Sequence, residues 1–377
     1  MNTSDKYKKY EKQILLREFG EAGQKKLNKA KVLIIGAGGL GCPALQYLAA
    51  AGVGNIGIAD FDVIEISNLH RQILFTVNDI GKSKAETAAS KLKELNPDIR
   101  IDRYNFRITN KNALEIIAKY DLVIDGSDNF NTRYMINDVC VLLGKPLIYG
   151  AVSGFEGQAG VFNLSDEINN FKTNYRDLFP NPPETASEFS CNESGVLGIL
   201  PGMIGIMQAT EAIKIITGIG IPLKNRIISF NALSNSYHEF QITTNVKSKE
   251  SMPQSESEFF NFNYDWFCNK DQSNSEINAE EFDMLRAKED ITIIDVREKN
   301  ELPEVNEFSY RQFSLSELEN SQVNFSKDKK IVLFCNTGSR SLKAIKILKD
   351  KISDAEAYSL KGGIEAWKRN HKNNSDE

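Results

Sequence analysis

The sequence predicts an α/β protein in two parts: a doubly wound, mainly parallel sheet with an antiparallel extension at its end, then a smaller α/β domain. Three observations carry that expectation. Short apolar runs ending in glycine or aspartate alternate with amphipathic stretches through the first part of the chain, the pattern of parallel strands covered on both faces by crossover helices. The polar, Ser- and Glu-rich stretch NVKSKESMPQSESE (245–258) then interrupts the alternation, as a linker does. After it, strand and helix signals resume on a smaller scale. At 377 residues the chain exceeds the size at which one core usually divides. The expected parts are 1–244, a linker over 245–274, and 275–377.

The elements follow in order. KVLIIGAG is a strand closing on glycine, and GCPALQYLAAAG a helix stopped by Gly52. NIGIADFD is the next strand, and GKSKAETAASKLKELN a helix ended by Pro97. DLVIDGSDN and KPLIYGAVSG are buried strands on either side of the helix NTRYMINDVCVLLG. GVLGILPGMIGIMQATEAIKIITG is the most apolar segment, but Pro201 breaks it and Glu211 and Lys214 charge it. It reads as a buried loop and helix, not a membrane span. NRIISFNALSNSYHEFQIT alternates about Asn/Ser turn residues, an antiparallel pair. Beyond the linker, ITIIDVRE and KIVLFCNTG are strands, SRSLKAIKILKD a helix, and YSLKGGIEAWKRN a strand, turn and helix.

Composition narrows the function. Hydrophobic residues at 41% and charged residues at 26% belong to a globular protein. A net charge of -5, from 46 basic and 51 acidic residues, lacks the basic excess of a nucleic-acid surface. The charged N-terminus is not a secretory signal. Five scattered cysteines without a C-x-x-C pair suit a reducing, cytoplasmic setting.

GAGGLG places Gly36, Gly38 and Gly41 at the fixed positions of G-x-G-x-x-G, after a strand and before a helix. That context makes it a Rossmann-like nucleotide turn. Asp60 ends the next strand at the distance of a ribose-binding acid. The remaining residues bear on the choice between nicotinamide and triphosphate. SNLHRQ sets Asn68 and Arg71 on the loop after the second strand, Lys84 opens the next helix, and Ser127, Asp128 and Asn129 follow a third strand end. All fall at the carboxyl edge of one parallel sheet. Two cations and a carboxylate there suit a triphosphate with Mg²⁺ held by Asp128, whereas hydride transfer requires none of them. The blander readings are a surface Arg71, an ordinary first-turn Lys84, and an Asp128 that only caps its helix.

GAGGLG, ADFDVIEISNLHRQ, GKSK and GSDN, in this order, resemble the adenylating enzymes of sulfur-carrier proteins, the HesA/MoeB/ThiF family related to ubiquitin-activating enzymes. The resemblance runs from about Tyr10 to Thr243. It implies an ATP site in which Gly39, Asp60, Asp62, Asn68, Arg71, Lys84, Asp128 and Asn129 contact adenosine, phosphates or Mg²⁺. It implies a small ubiquitin-like carrier whose C-terminal Gly-Gly carboxylate becomes an acyl-adenylate, and a homodimer. Two departures stand out. Lys12 occupies the place of an arginine that reaches the partner subunit's site, keeping the charge without the bidentate fork. The family's first zinc-binding C-x-x-C falls on NYRDL, with Asn174 and Asp177 at the cysteine positions, and Cys268 stands alone near the second. No zinc is expected, so packing must hold that crossover instead. In the family the loop holding Cys191 bears a cysteine that accepts the carrier, which makes Cys191 a candidate nucleophile, although Glu188 and Glu193 oppose its ionisation. Cys42 and Cys140 read as core.

Cys335 ends a buried strand and precedes NTGSR and a helix. Converging backbone N–H groups, a helix N-terminus and Arg340 suit an anion there. A cysteine phosphatase needs five residues between Cys and Arg; the four found here suit a smaller anion, a persulfide. With IIDVRE and LKGGIEAW, the stretch from about Ile277 to Asn370 resembles a single-domain rhodanese, in which Asp295 and Arg297 read as a scaffold ion pair. Together the parts imply carrier adenylation followed by thiocarboxylate formation, with a cysteine desulfurase or other persulfide donor as sulfur source. The alternatives are a stand-alone sulfurtransferase with a vestigial nucleotide domain, an NAD-binding oxidoreductase, or a carrier-binding module without catalysis.

Overall fold

The computed structural model describes residues 7–165, 172–182, 195–264, 275–288, 291–320, 330–351 and 356–373. The chain forms two compact units, Met1–Cys268 and Asn269–Glu377. Cys191, Glu188, Glu193 and Cys268 lie outside the described residues.

In the first unit, α1 (Glu11–Ile14) and α2 (Gly20–Lys29) precede β1 (Lys31–Ile35), α3 (Gly41–Ala51) and β2 (Asn55–Ala59). Next come α4 (Lys84–Leu95), β3 (Arg100–Tyr104), α5 (Ala113–Ile117), β4 (Leu122–Asp125), α6 (Phe130–Leu142) and β5 (Leu147–Ser153). β6 (Glu156–Phe162), α7 (Tyr175–Leu178), α8 (Ile199–Thr217), β7 (Arg226–Asn231) and β8 (Ser236–Gln241) follow. The strands form one eight-stranded sheet in the order β3-β2-β1-β4-β5-β6-β7-β8. It is parallel from β3 to β5 and antiparallel from β5 to β8. The order reverses direction between β1 and β4, and at that switch point the carboxyl ends of the strands leave a crevice for a ligand. The expected antiparallel pair is β7 and β8.

Pro201 does not break the apolar segment. It lies in the first turn of α8, where a helix needs no N–H from it. α8 is long and apolar enough to cross a membrane by composition. It buries Leu200, Ile204, Ala209 and Ala212, while Gln208 Nε2 donates to Asp125 O at 2.7 Å and Glu211 accepts the N–H of Leu223 at 2.8 Å.

Much of the stretch expected as a linker is bound to the first unit. α9 (Val246–Glu250) and α10 (Glu256–Asn261) form within it, and Phe259 and Tyr264 are buried in the same core cluster as Tyr134, Phe162 and Tyr175. Its polar residues serve as donors. Asp177 Oδ1 accepts the N–H of Asn245 and the hydroxyl of Ser248, each at 2.8 Å, and Asp177 Oδ2 accepts the N–H of Asn174 at 2.8 Å. Beside this clasp, Arg176 and Asp138, both with 0% side-chain exposure, pair at 2.7 Å, and the Tyr264 hydroxyl donates to Asp138 at 2.8 Å. The packing expected to hold this crossover is present, with Tyr175 in the aromatic core cluster and Phe179 packed against it, and buried hydrogen bonds and an ion pair add to it. Asn245 and Ser248 meet Asp177 here, while Cys268 lies outside the described residues. One carboxylate, two amides and a hydroxyl, already bonded to each other and without thiolate or imidazole, do not fit a zinc ion.

The second unit holds β9 (Glu276–Ile277), α11 (Ala279–Lys288), β10 (Thr292–Asp295), β11 (Arg311–Gln312), α12 (Leu315–Asn320), β12 (Ile331–Phe334), α13 (Ser339–Lys351), β13 (Ala357–Leu360) and α14 (Gly363–Asn373). Its parallel sheet runs β11-β10-β12-β13-β9. Central β12 is buried throughout, so Cys335 leaves the sheet at its middle.

Candidate active site

Gly36, Gly38, Gly39, Asp60, Asp62, Arg71, Lys84, Asp128 and Asn129 line one cleft at the switch point. The Gly-rich turn is packed too closely for side chains at Gly36 and Gly41, whereas Gly38 has room for one. Gly36 has φ +96°, and a Cβ there would lie 2.5 Å from Gly126 O. Gly41 packs against Gly36 O and does not line the cleft.

Asp60 accepts the N–H groups of Ala37 at 2.8 Å and Asp62 at 2.9 Å, locking the strand end to the turn. Burial pushes its carboxyl above the ordinary value of 3.8. Lys84 is no ordinary first-turn lysine: it is 7% exposed, and its Nζ pairs with Asp62 Oδ2 at 3.0 Å. Arg71, half-buried, donates from Nη1 to Ser67 O at 3.0 Å. The cap of α6 is Asn129, whose Oδ1 accepts the N–H of Thr132 at 2.9 Å. Capping therefore does not employ Asp128, whose exposed carboxylate faces the cleft.

Two more of the expected residues do not line this cleft, and for Lys12 that agrees with the expectation, since the arginine whose place it takes reaches the partner subunit's site. Asn68 is buried but absent from the cleft wall; its Oδ1 accepts the N–H of Glu65 at 3.2 Å and so shapes the loop that carries Arg71. Lys12 is exposed on α1, away from this cleft. The sequence reading missed other wall residues. Gln72, the last residue of SNLHRQ, is buried in the wall, and its Oε1 has no hydrogen-bond partner among the described residues. Arg133 sits behind the β4 loop, paired with Asp125 at 3.3 Å and donating to Ser127 O at 2.9 Å. The Arg107 guanidinium lies 4.4 Å from the centre of the Phe61 ring at the cleft wall. Its signal was a strand ending at Tyr104, which the charged run RIDRY concealed.

In the second unit the Cys335 sulfur is buried and accepts the N–H of Gly338 at 3.1 Å. The Ser341 hydroxyl lies 3.7 Å from it and 2.8 Å from the hydroxyl of Ser359 on β13, a neighbour the sequence did not reveal. Asp295 and Arg297 form the expected buried pair at 2.7 Å, and Arg297 continues to Asn336 Oδ1 at 3.0 Å. Arg340 faces Glu301, each nitrogen–oxygen contact being 2.6 Å. By contrast Cys42 is buried with its thiol pushed up to about 12, and burial raises Cys140 as well. Both are core residues.

A nucleotide cleft with opposed charges in one unit, and a cysteine loop at a helix start in the other, define a two-site protein of activation and group transfer. The chain belongs to the ThiF family, whose model matches residues 10–251, and carries a rhodanese-like domain over 278–370. It is 41% identical over 370 residues to the probable adenylyltransferase/sulfurtransferase MoeZ of Mycobacterium tuberculosis, covering 95% of this chain and 92% of that protein. To the sulfur carrier protein adenylyltransferase of Thermus thermophilus it is 46% identical over 245 residues, 65% of this chain and 90% of that one. It is 38% identical to the adenylyltransferase and sulfurtransferase MOCS3 of Arabidopsis thaliana, covering 97% and 84%. Among solved structures, E. coli MccB with MccA-N7isoASN is similar at a TM-score of 0.54 and 23% identity, over 63% of this chain and 72% of that one; that likeness speaks for the fold alone.

Proposed function

We propose that the first unit uses ATP to adenylate the C-terminal glycine of a small ubiquitin-like sulfur carrier, and that sulfur carried on Cys335 converts the product to a thiocarboxylate. The observation that carries this reading is the meeting of Arg71, the buried Lys84 paired with Asp62, and the uncapped Asp128 in one cleft beneath the Gly-rich turn. Arg71 and Lys84 offset charge on the phosphates, and Asp128 would hold Mg²⁺ on them. A carrier carboxylate oxygen attacks the α-phosphorus; its bond to the bridging oxygen breaks and pyrophosphate leaves.

At the second site the outer sulfur of a Cys335 persulfide attacks the acyl carbon, and AMP leaves with the electron pair. A further thiol then attacks the Cys335 sulfur of the acyl disulfide and expels the thiocarboxylate, leaving a disulfide for a cellular thiol to reduce. Cys191 is the candidate for that thiol. A cysteine desulfurase or other persulfide donor would charge Cys335. The relatives named for molybdopterin synthase, such as that of Porphyra purpurea at 38% identity, favour a molybdopterin-type carrier over a thiazole-type one.

A homodimer and a cytoplasmic location belong to the same reading. Exposed Tyr47 (55%) and Ile206 (39%) bound an apolar groove between α3 and α8, a surface suited to a second copy, which would bring Lys12 to the partner's cleft. The described cysteines are free thiols. The clasp at Asp177 is read as metal-free.

Carrier-dependent ATP–pyrophosphate exchange tests the proposal. Arg71→Ala should abolish exchange and Cys335→Ala should retain it while losing thiocarboxylate. Absence of exchange with every Gly-Gly carrier tried would sink the reading.

A further inference from the structure

The cation of the sulfur loop is already engaged. Arg340 Nη1 and Nη2 meet Glu301 Oε1 and Oε2, both at 2.6 Å, a parallel fork-to-carboxylate pair. Glu301 is not a passing surface side chain. Its Oε1 also accepts the N–H of Glu298 at 2.8 Å, and its Oε2 lies 3.5 Å from Asn336 Nδ2, next to Cys335. Behind it, Arg297 ties Asn336 and the Glu301 carbonyl to buried Asp295. The Arg340 fork holds the Glu301 carboxyl down at about 2, so it is charged throughout the neutral range. A fixed anion therefore stands at the rim of the loop, and it neutralises the group best suited to receive another anion.

Two chemistries can load the cysteine. With thiosulfate, the Cys335 thiolate attacks the sulfane sulfur, the S–S bond breaks, and sulfite leaves with the electron pair. With a cysteinyl persulfide, the thiolate attacks the outer sulfur and the donor cysteine leaves as a thiolate. Both balance without a further oxidant or reductant, but they differ in charge. Thiosulfate brings a dianion whose sulfonate must lie beside the loop; a persulfide brings no sulfonate. Like charge beside an approaching ligand discriminates against it.

We propose that Glu301 is the residue that sets the sulfur-donor specificity of Cys335, occupying Arg340 and so disfavouring dianionic inorganic donors relative to cysteinyl persulfides. The proposal rests on Cys335 as the sulfur carrier. Glu301 acts through Arg340 and is a positioning residue.

The test uses the full chain and compares kcat/KM for thiosulfate with kcat/KM for cysteine persulfide, both read as persulfide on Cys335 released by cyanide. Glu301→Gln should raise the thiosulfate-to-persulfide ratio by roughly tenfold, chiefly through a lower KM for thiosulfate. Glu301→Asp, charged but one methylene shorter, should raise it less. The ratio is taken on one preparation, so a variant that is only partly folded lowers both rates and leaves the ratio intact. A ratio unchanged or lowered in both variants overturns the proposal. Cys335→Ala should lose both reactions. If it kept them, the assignment of sulfur to Cys335 would fail, an outcome the Glu301 variants do not produce.

Discussion

Asp60 binds two backbone N–H groups yet is held above its ordinary carboxylate value by burial. As pH falls toward that raised value the residue takes up a proton early, the cost of burying its charge is relieved, and the fold does not weaken on its account. On the proposed function, the carboxylate that would accept from the ribose is lost at the same time. The KM for ATP in pyrophosphate exchange should therefore rise on the acid side, and Asp60→Asn should flatten that limb at a higher KM throughout. Gly363 makes a second case. It has φ +64°, and a Cβ there would lie 2.4 Å from Cys335 O. The left-handed backbone alone costs about 1–2 kcal/mol for a residue with a side chain. Gly363→Ala should depress sulfur transfer and leave exchange intact, measured on the same preparation.

At the scale of elements, what the sequence made legible was what burial writes into composition. β1, β2, β4 and β5 are buried on both faces for most of their length and read as apolar runs. β3, at the sheet edge, is charged and partly exposed, and β6 carries two glycines, so neither announced itself. The cleft-lining residues of the Gly-rich turn and the strand ends were legible because a motif fixes them there. Glu301 was not, since it meets Arg340 across 39 positions of sequence that no local pattern links. Nor was the clasp, because Ser248 and Asn245 look like linker residues until Asp177 needs their donors. The Arg176–Asp138 pair beside it gives a direct test. Removing one partner leaves a buried charge unopposed, so Asp138→Asn should cost about 3–5 kcal/mol of first-unit stability, seen in urea unfolding.

At the scale of the whole molecule, the chemistry divides as the chain does. The proposed nucleotide groups lie within the first unit and Cys335 with its loop within the second, so Cys335→Ala should leave adenylation measurable. The composition and the resemblance foretold both halves. What sequence spacing did not supply was how each half closes its own site, by Asn129 rather than Asp128 at a helix start, and by Glu301 against Arg340. One expectation concerns the protein entire: melting of the first unit should be unmoved by a strong chelator, and metal analysis of the purified chain should find zinc far below one equivalent. A chelator-induced loss of stability would contradict the metal-free reading of the clasp.

That clasp bears on supply as well as on shape. Asn174, Asp177, Asn245 and Ser248 offer no thiol for peroxide to attack. On the metal-free reading, a crossover joined this way would mature at the pace of translation in an environment short of transition metals or rich in oxidants. On the proposed function, the sulfur that matters is the one carried by Cys335, in the second unit.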